Sequence, residues 1–199
     1  MTLAASKPVS VSLTDYFEQE AIAQTRQEYR AGAVIPMAGG TPNHNQIISN
    51  LNALLNVGLR RHPYRTYASD QRLWIPAAAV ATYPDLMVVA EPLERHEQRE
   101  DTLVNALLIA EVLSKSTRNY DKGDKFSAYR NLSQFREYLT LEQSLPYGEH
   151  YYKTEQGWLL QEYSGFDAQI ELQTIGITLV LADLYDKVDG VEDSVCGGK

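Results

Sequence analysis

The sequence predicts a single domain of the α/β or α+β class, with a mixed central sheet and flanking helices. The chain has 199 residues, of which 44% are hydrophobic, which is enough for one substantial core and short for two. Segments with helical spacing of apolar residues alternate with short β-type runs. One run, Leu86-Met87-Val88-Val89-Ala90, is continuously apolar, as expected of a strand covered on both faces.

The first half of the chain is predicted to contain two helices, a hairpin and three strands. A capping residue and apolar residues at helical spacing indicate a helix over residues 12–25. A hairpin turn follows at Ala31-Gly32, and Pro42 suits the first turn of a helix over residues 43–61. Strands are then predicted at residues 64–68, 71–75 and 85–90, followed by an exposed charged connection at 91–101.

The second half of the chain is predicted to be mostly β-structure. Its predicted elements are a strand at 107–113, a polar turn at 114–120, a helix at 121–130, a strand at 134–141, an antiparallel meander at 147–153, 158–163 and 168–172, and a helix at 180–188. The Gly-rich tail, residues 189–199, is expected to be flexible, so the ordered core is expected to span about residues 12–188.

Composition favours a cytoplasmic protein. The single cysteine, Cys196, excludes an intrachain disulfide and a thiolate zinc site. The sequence has no basic-then-apolar leader and no apolar run approaching the roughly 18 residues of a spanning helix, so no membrane association is expected.

The charge is unevenly distributed along the chain. The net charge of -8 argues against a general nucleic-acid coat protein, because phosphate binding depends on Lys and Arg. Between residues 115 and 136, however, six basic residues stand against two acidic ones. We expect this segment to contact a nucleic-acid backbone through Lys115, Arg118, Lys122 and Arg130.

The most informative residue is Glu111, which lies inside the apolar run at 107–113. A carboxylate buried in such a strand costs several kcal/mol unless it meets a cation. Asp85 opens the preceding central strand directly after Pro84, where the two carboxylates can converge on a cleft. We therefore predict that Asp85 and Glu111 are catalytic and bind Mg²⁺ or Mn²⁺. The alternatives are a turn or capping role for Asp85 and a structural ion pair for Glu111.

A lysine near the metal would complete such a site by stabilising the phosphorane-like transition state. The usual position, two residues after the glutamate, is Leu113 here. Lys122 and Lys125 are the nearest substitutes, three residues apart and so predicted to share one helix face. Lys125 is preferred because it lies one turn deeper and precedes Phe126. The alternative is that both lysines belong to a solvated helix face.

Several blocks together resemble the Uma family of restriction-endonuclease-like proteins, which is abundant in cyanobacteria and belongs to the PD-(D/E)XK nuclease superfamily. The blocks are Glu28-Tyr29-Arg30-Ala31-Gly32, the run from Pro36 to His44, Tyr83-Pro84-Asp85 with the apolar run after it, Leu108-Ile109-Ala110-Glu111-Val112 with Leu113-Ser114-Lys115-Ser116-Thr117, and then Asp121, Lys125 and Tyr129. The resemblance extends from about residue 14 to residue 187.

The resemblance implies a restriction-endonuclease-like fold and a site for metal-dependent cleavage of nucleic acid. It assigns Asp85 and Glu111 as metal ligands and Lys125 as a catalytic lysine that has migrated from the strand to the following helix. Glu28 would be a further acid from the hairpin, and His44 would either contact a phosphate or cap its helix. Around that hairpin the family usually has an Asp and a Glu where this chain has Ala31 and Ala33.

Three functional hypotheses follow. The first is an endonuclease that hydrolyses phosphodiester bonds, most readily of DNA, with a Mg²⁺-activated water. The second is an inert binding module that keeps the fold. The third, compatible with either, is a homo-oligomer, most simply a dimer, whose interface uses the aromatic residues Tyr147, Tyr151, Tyr152 and Trp158.

Overall fold

The computed structural model describes residues 10–192, which form two six-stranded sheets with helices against them. The helices are α1 (Leu13–Ile22), α2 (Pro42–Gly58), α3 (Arg118–Tyr120), α4 (Phe126–Tyr129) and α5 (Leu181–Leu184). The strands are β1 (Gln27–Arg30), β2 (Ala33–Pro36), β3 (Tyr64–Ala68), β4 (Arg72–Ile75), β5 (Val80–Thr82), β6 (Leu86–Ala90), β7 (Arg95–His96), β8 (Arg99–Leu103), β9 (Leu108–Leu113), β10 (Glu137–Glu142), β11 (Tyr147–Thr154), β12 (Gly157–Ser164), β13 (Gln169–Leu172) and β14 (Ile177–Val180).

The main sheet has the strand order β12-β11-β10-β9-β6-β3. β9 and β10 are parallel, and the other neighbours are antiparallel, so the sheet is mixed. Side chains alternate between two cores: one contains residues of α2, and the other contains residues of α4 and Tyr138 of β10. The predicted class of a mixed sheet with flanking helices is therefore confirmed.

The second sheet, in the order β2-β1-β5-β4-β8-β7, carries the predicted hairpin. α1 packs on it through Tyr16 and Phe17, which join Tyr29 and Trp74 in a third core. The segment at residues 91–101 is mostly exposed, as predicted, but it is not an irregular connection, because β7 lies within it and β8 begins there. The charged side chains of β8 are mostly exposed, whereas Leu103 is buried. The composition of this edge strand therefore resembles that of a loop.

Local backbone features mark both ends of α2. The hydroxyl of Thr41 accepts a hydrogen bond from the backbone N–H of His44, and Pro42 follows this cap as predicted. The helix ends at Gly58, three residues before the predicted end, and Arg61 has a positive φ of 70° that is incompatible with a continuing helix. α1 likewise ends at Ile22, three residues before its predicted end.

The C-terminal part differs most from the prediction. β13 pairs with β14, not with β12, so the predicted three-stranded meander is wrong. The last helix is α5 alone, and the β-branched residues before it form β14. Asp189, in the predicted tail, exchanges backbone hydrogen bonds with the side chain of Asn43, and residues 193–199 lie outside the described part of the chain.

The helical segment after β9 has an unusual centre. Between α3 and α4, residues Asp121–Lys125 form a π-helical turn. The wider turn places Asp121 and Lys125 on the buried side, whereas Gly123 and Asp124 are exposed. Isolated π-helical turns of this kind occur frequently at functional sites.

None of the helices within residues 10–192 has the length and apolar character needed to cross a membrane.

Candidate active site

A pocket of about 470 Å³ opens where β6 and β9 of the main sheet meet the β1–β2 hairpin. It is lined by four carboxyl groups, two permanent cations and one histidine, which are Glu28, Asp85, Glu111, Asp121, Lys125, Arg30 and His44. The structure therefore brings together five of the residues that the sequence predicted for the site. They come from separate segments of the chain and meet only through the fold.

Asp85 and Glu111 are adjacent because of the strand register. β6 and β9 are antiparallel with Leu86 opposite Ala110, which places Asp85, the residue before β6, beside Glu111 of β9. The backbone N–H of Asp85 donates to Glu111 Oε2 at 3.3 Å, and the N–H of Val112 donates to Asp85 Oδ2 at 2.8 Å. The two carboxylates thus converge at the end of these strands, as predicted.

Glu111 is 1% exposed. Its Oε1 accepts a hydrogen bond from the hydroxyl of Tyr129 at 2.6 Å and lies 2.9 Å from Lys125 Nζ. Burial raises the pKa of Glu111 well above its usual value; Lys125 opposes this effect, while the charge of Asp85 adds to it. A carboxylate in this position favours a nearby cation, because a cation offsets both burial and repulsion.

Lys125 is enclosed by acids. Besides Glu111, its Nζ lies 3.5 Å from Asp121 Oδ1 and 4.0 Å from Glu28 Oε1. Burial alone would lower the pKa of Lys125, but the charges of Glu111, Glu28 and Asp121 outweigh it and raise that pKa well above the usual value. Lys125 is therefore a protonated ammonium group that is fixed beside Glu111.

Glu28 is held by the hairpin and its neighbours. Its Oε2 is bound by Arg30 and Tyr120, and its Oε1 by the hydroxyl of Thr82. Burial raises the pKa of Glu28, but Lys125, Thr82 and Arg30 together bring it below its usual value. Glu28 thus lines the pocket as an ionised group whose two oxygens are already engaged with protein donors.

His44 lies at the start of α2 and faces Asp85. Its Nε2 is 3.1 Å from Asp85 Oδ2, and its backbone N–H is capped by Thr41. Burial lowers the pKa of His44, but the hydrogen bond and charge of Asp85 outweigh burial and raise it. The imidazole and the backbone N–H of Val112 therefore hold the same oxygen of Asp85 in place.

The predicted nucleic-acid-binding residues lie outside this group. Lys122 Nζ is 2.6 Å from Glu149 and does not line the pocket, so the predicted common face of Lys122 and Lys125 is wrong. The reason is the π-helical turn, which separates the two side chains. Arg118 forms a bidentate ion pair with Glu142.

Lys115 and Arg130 are both exposed. Lys115 stands between Ser114 and Ser116, which line the pocket, but does not itself line it. Arg130 lies 5.1 Å from the centre of the Phe126 ring.

Three further residues were not assigned roles from the sequence. The guanidinium of Arg30 lies 3.5 Å from the centre of the Tyr120 ring at the pocket, and the hydroxyl of Tyr129 donates to Glu111. Tyr129 lies four residues after Lys125, and Asp121 four residues before it; on a helix this spacing would have indicated one common face. Arg30 lies two residues after Glu28 on β1, and on a strand this spacing would have indicated the same face.

The donor set fits a hard divalent cation. Asp85 Oδ2 accepts two protein hydrogen bonds, whereas within residues 10–192 its Oδ1 accepts none. The pocket also holds more carboxyl groups than permanent cations. Among the same residues, no three acidic, histidine or cysteine side chains form a ready-made cage. Mg²⁺ needs no such cage, because it commonly binds through one or two carboxylates and keeps several waters.

Comparison with known proteins identifies relatives of this chain. Residues 13–182 match the sequence profile of the Uma2 family, described as "Putative restriction endonuclease". Two uncharacterized proteins of Synechocystis are similar: one is 36% identical over 89% of this chain and 99% of its own length, the other 30% identical over 88% and 91%. A crystal structure of a "putative nuclease belonging to DUF820" from Anabaena variabilis shares the fold, with a TM-score of 0.72 at 15% identity over 88% of this chain and 98% of that one.

Proposed function

We propose that this chain, which belongs to the Uma2 family, is a metal-dependent nuclease that hydrolyses phosphodiester bonds, most readily of DNA, at the pocket around Asp85, Glu111 and Lys125. One observation carries the proposal: the ammonium group of Lys125 lies 2.9 Å from Glu111, beside Asp85, whose Oδ1 accepts no hydrogen bond from the described residues. A water-activating cation, two acids that would hold it and a fixed ammonium group are suited to metal-assisted hydrolysis of a phosphodiester.

Each residue has a distinct role in the proposed mechanism. Asp85 and Glu111 would hold Mg²⁺ or Mn²⁺, which supplies a water of lowered pKa and offsets charge on the phosphoryl group. Leu113 stands at the strand position where a lysine is usual, and Lys125 would take over that lysine's role. It would orient the attacking water and stabilise negative charge on the phosphoryl oxygens. His44 and Tyr129 keep the two carboxylates in place.

The decisive test is a nicking assay with matched controls. Purified protein with Mg²⁺ or Mn²⁺ should nick supercoiled plasmid or cut a single-stranded oligonucleotide. Asp85→Asn, Glu111→Gln and Lys125→Ala should each reduce the rate by about 100-fold or more.

The controls remove the same chemical groups elsewhere. Glu137→Gln changes a glutamate that is also fully buried, on the neighbouring strand and away from the pocket, and Lys153→Ala removes an exposed lysine. Both variants should retain the wild-type rate. Equal cleavage by wild type and all the site variants would sink the proposal, because the activity would then come from a contaminant.

The second candidate function is a non-catalytic binding module that keeps the fold. The buried Leu113 at the usual lysine position and the net charge of -8 favour it. Titration calorimetry with Mn²⁺ separates the two: no heat from the wild type, and no difference from Glu111→Gln, would support the inert module. Sedimentation of the same sample tests the expected dimer, and any binding partner is expected to be DNA.

A further inference from the structure

Part of the pocket lining is an apolar wall. Ile35 and Met37 are half-buried and line it together with the backbone of the following loop, residues 38–41. These residues offer no charge to a phosphate. An apolar lining with a few placed polar groups is typical of a site that encloses a small organic group, such as a sugar and a base.

This wall is held in place. The backbone N–H of Met37 donates to the carbonyl of Arg26 at 2.9 Å, and the hydroxyl of Thr41 donates to Gln143 at 2.7 Å across the pocket. A Cβ at Gly40 would lie 2.7 Å from His44 Nδ1, so glycine allows the loop to approach the start of α2 closely. The loop is therefore a fixed boundary on one side of the site.

The cations around the pocket do not suit a duplex. Gripping a duplex requires several basic side chains along two backbones. Here Arg118 and Lys122 are engaged by Glu142 and Glu149, and Lys125 is enclosed by carboxylates.

Arg30 is the cation best placed for a substrate phosphate. Its side chain is 30% exposed and lines the pocket. Its Nε and Nη2 donate to Glu28, while Nη1 donates to no residue within 10–192. Stacking on Tyr120 fixes the plane of the guanidinium. A guanidinium fixed in this way is suited to donate to one phosphate.

We propose that the pocket takes one nucleotide of an unpaired strand, with Arg30 on its phosphate and the wall of Ile35 and Met37 against its sugar and base; the substrate class would then be single-stranded nucleic acid. This rests on the proposed nuclease function only for the identity of the polymer. A volume of about 470 Å³ holds a group of nucleotide size. A base within a duplex would have to leave its stack to enter, which costs a few kcal/mol.

The test is binding and does not depend on cleavage. A fluorescein-labelled 12-nucleotide strand, alone and annealed as a blunt duplex, is titrated with the full chain in Ca²⁺, and fluorescence anisotropy gives each Kd. We expect the single strand to bind at least about tenfold more tightly than the duplex. Equal or tighter binding of the duplex overturns the proposal, even if plasmid nicking has been demonstrated.

Variants test the two contacts separately. Met37→Asp and Arg30→Gln should each weaken single-strand binding by about five- to tenfold, and Arg30→Lys should recover part of the loss. Leu160→Asp, at an apolar residue of β12 that is 44% exposed and outside the pocket, should leave the Kd unchanged.

Two further outcomes complete the design. If Met37→Asp fails to fold by circular dichroism, Met37→Ser tests the same wall. A single-strand Kd that is the same for the folded Met37 variant as for Leu160→Asp overturns the proposal. Preferential single-strand binding without any nicking would instead contradict the nuclease function while supporting this substrate class.

Discussion

Two buried ion clusters in this molecule have similar parts and different surroundings. Under α1, Arg72 Nε donates to the hydroxyl of Tyr83 at 2.8 Å, and that hydroxyl donates to Glu20 at 2.7 Å. At the pocket, Lys125 and the hydroxyl of Tyr129 contact Glu111 at 2.9 and 2.6 Å. Each cluster thus joins a buried acid, a buried base and a tyrosine.

The difference lies in charge balance and access. Arg72 is 3% exposed, pairs with the 3% exposed Glu20 and packs beside the aromatic rings of Tyr16 and Phe17. The cluster at the pocket has more acids than permanent cations and opens to solvent. Burial of a carboxylate is therefore not what distinguishes a site, since Glu20 and Glu137 are as buried as Glu111. What distinguishes the site is a surplus of acidic groups beside an opening to solvent.

The largest expected effect is on the closed cluster. Arg72→Met leaves the buried Glu20 with only the half-exposed Arg26, whose Nη1 is 3.9 Å away, and should lower the free energy of unfolding by about 3 kcal/mol, measured by urea denaturation. Adding Glu20→Gln to this variant should recover much of the loss, because the uncompensated charge is gone. A loss below about 1 kcal/mol in the single variant would contradict a structural role for this pair. Nicking activity per folded molecule should be retained.

The second expected effect distinguishes the open cluster by its response to metal. At ten times its Kd, Mg²⁺ or Mn²⁺ should stabilise the protein by about 1.4 kcal/mol. For a chain of this size that is a rise in melting temperature of about 3–6 °C, measured by differential scanning fluorimetry. Asp85→Asn should remove the rise, and Glu20→Gln, which changes the closed cluster, should keep it. Identical shifts in the two variants would place the ion elsewhere.

The third expected effect concerns the free energy of unfolding: neutralising one acid should change it with opposite sign in the two clusters. Burial raises the pKa of Asp121, Lys125 opposes this and Asp85 adds to it, so its ionised form is disfavoured in the folded state. Asp121→Asn removes one surplus charge and should stabilise the protein by about 1 kcal/mol in urea denaturation. Glu20→Gln, the equivalent change in the balanced cluster, should destabilise it. The comparison fails if both changes have the same sign.

Much of the fold was predictable because its central strands have a strong apolar pattern. β6 and β9 are continuous apolar runs, and their adjacency brought Asp85 to Glu111 as expected. Prediction failed where composition does not distinguish an exposed edge strand from a loop, as in β7 and β8, which are rich in charged residues. It also failed at β14, which was not predicted and whose last residue, Val180, was assigned to the final helix.

The candidate site was predictable only where residues carry their signal locally. Glu111 is recognisable because it lies in an apolar run, and Lys125 because it belongs to the family-like block with Asp121 and Tyr129. Arg118 and Lys122 were predicted to be free for nucleic acid because their partners, Glu142 and Glu149, are distant in sequence and come from β10 and β11. Such pairings depend on the fold and have no local pattern.

The smallest expected effect concerns the ion pair of Lys122 and Glu149, which lies outside both clusters. Burial raises the pKa of Glu149, but hydrogen bonds from Lys122 and Tyr151 outweigh it and lower that pKa from its usual 4.5. The pair therefore stabilises the protein above pH 4.5, and this contribution is lost as the pH falls through the lower, folded-state pKa. Glu149→Gln should cost about 0.5–1 kcal/mol at pH 7 in urea denaturation. Its difference from wild type should shrink as the pH falls below 4.5, and a difference independent of pH would mean that packing, not charge, makes this contact stabilising.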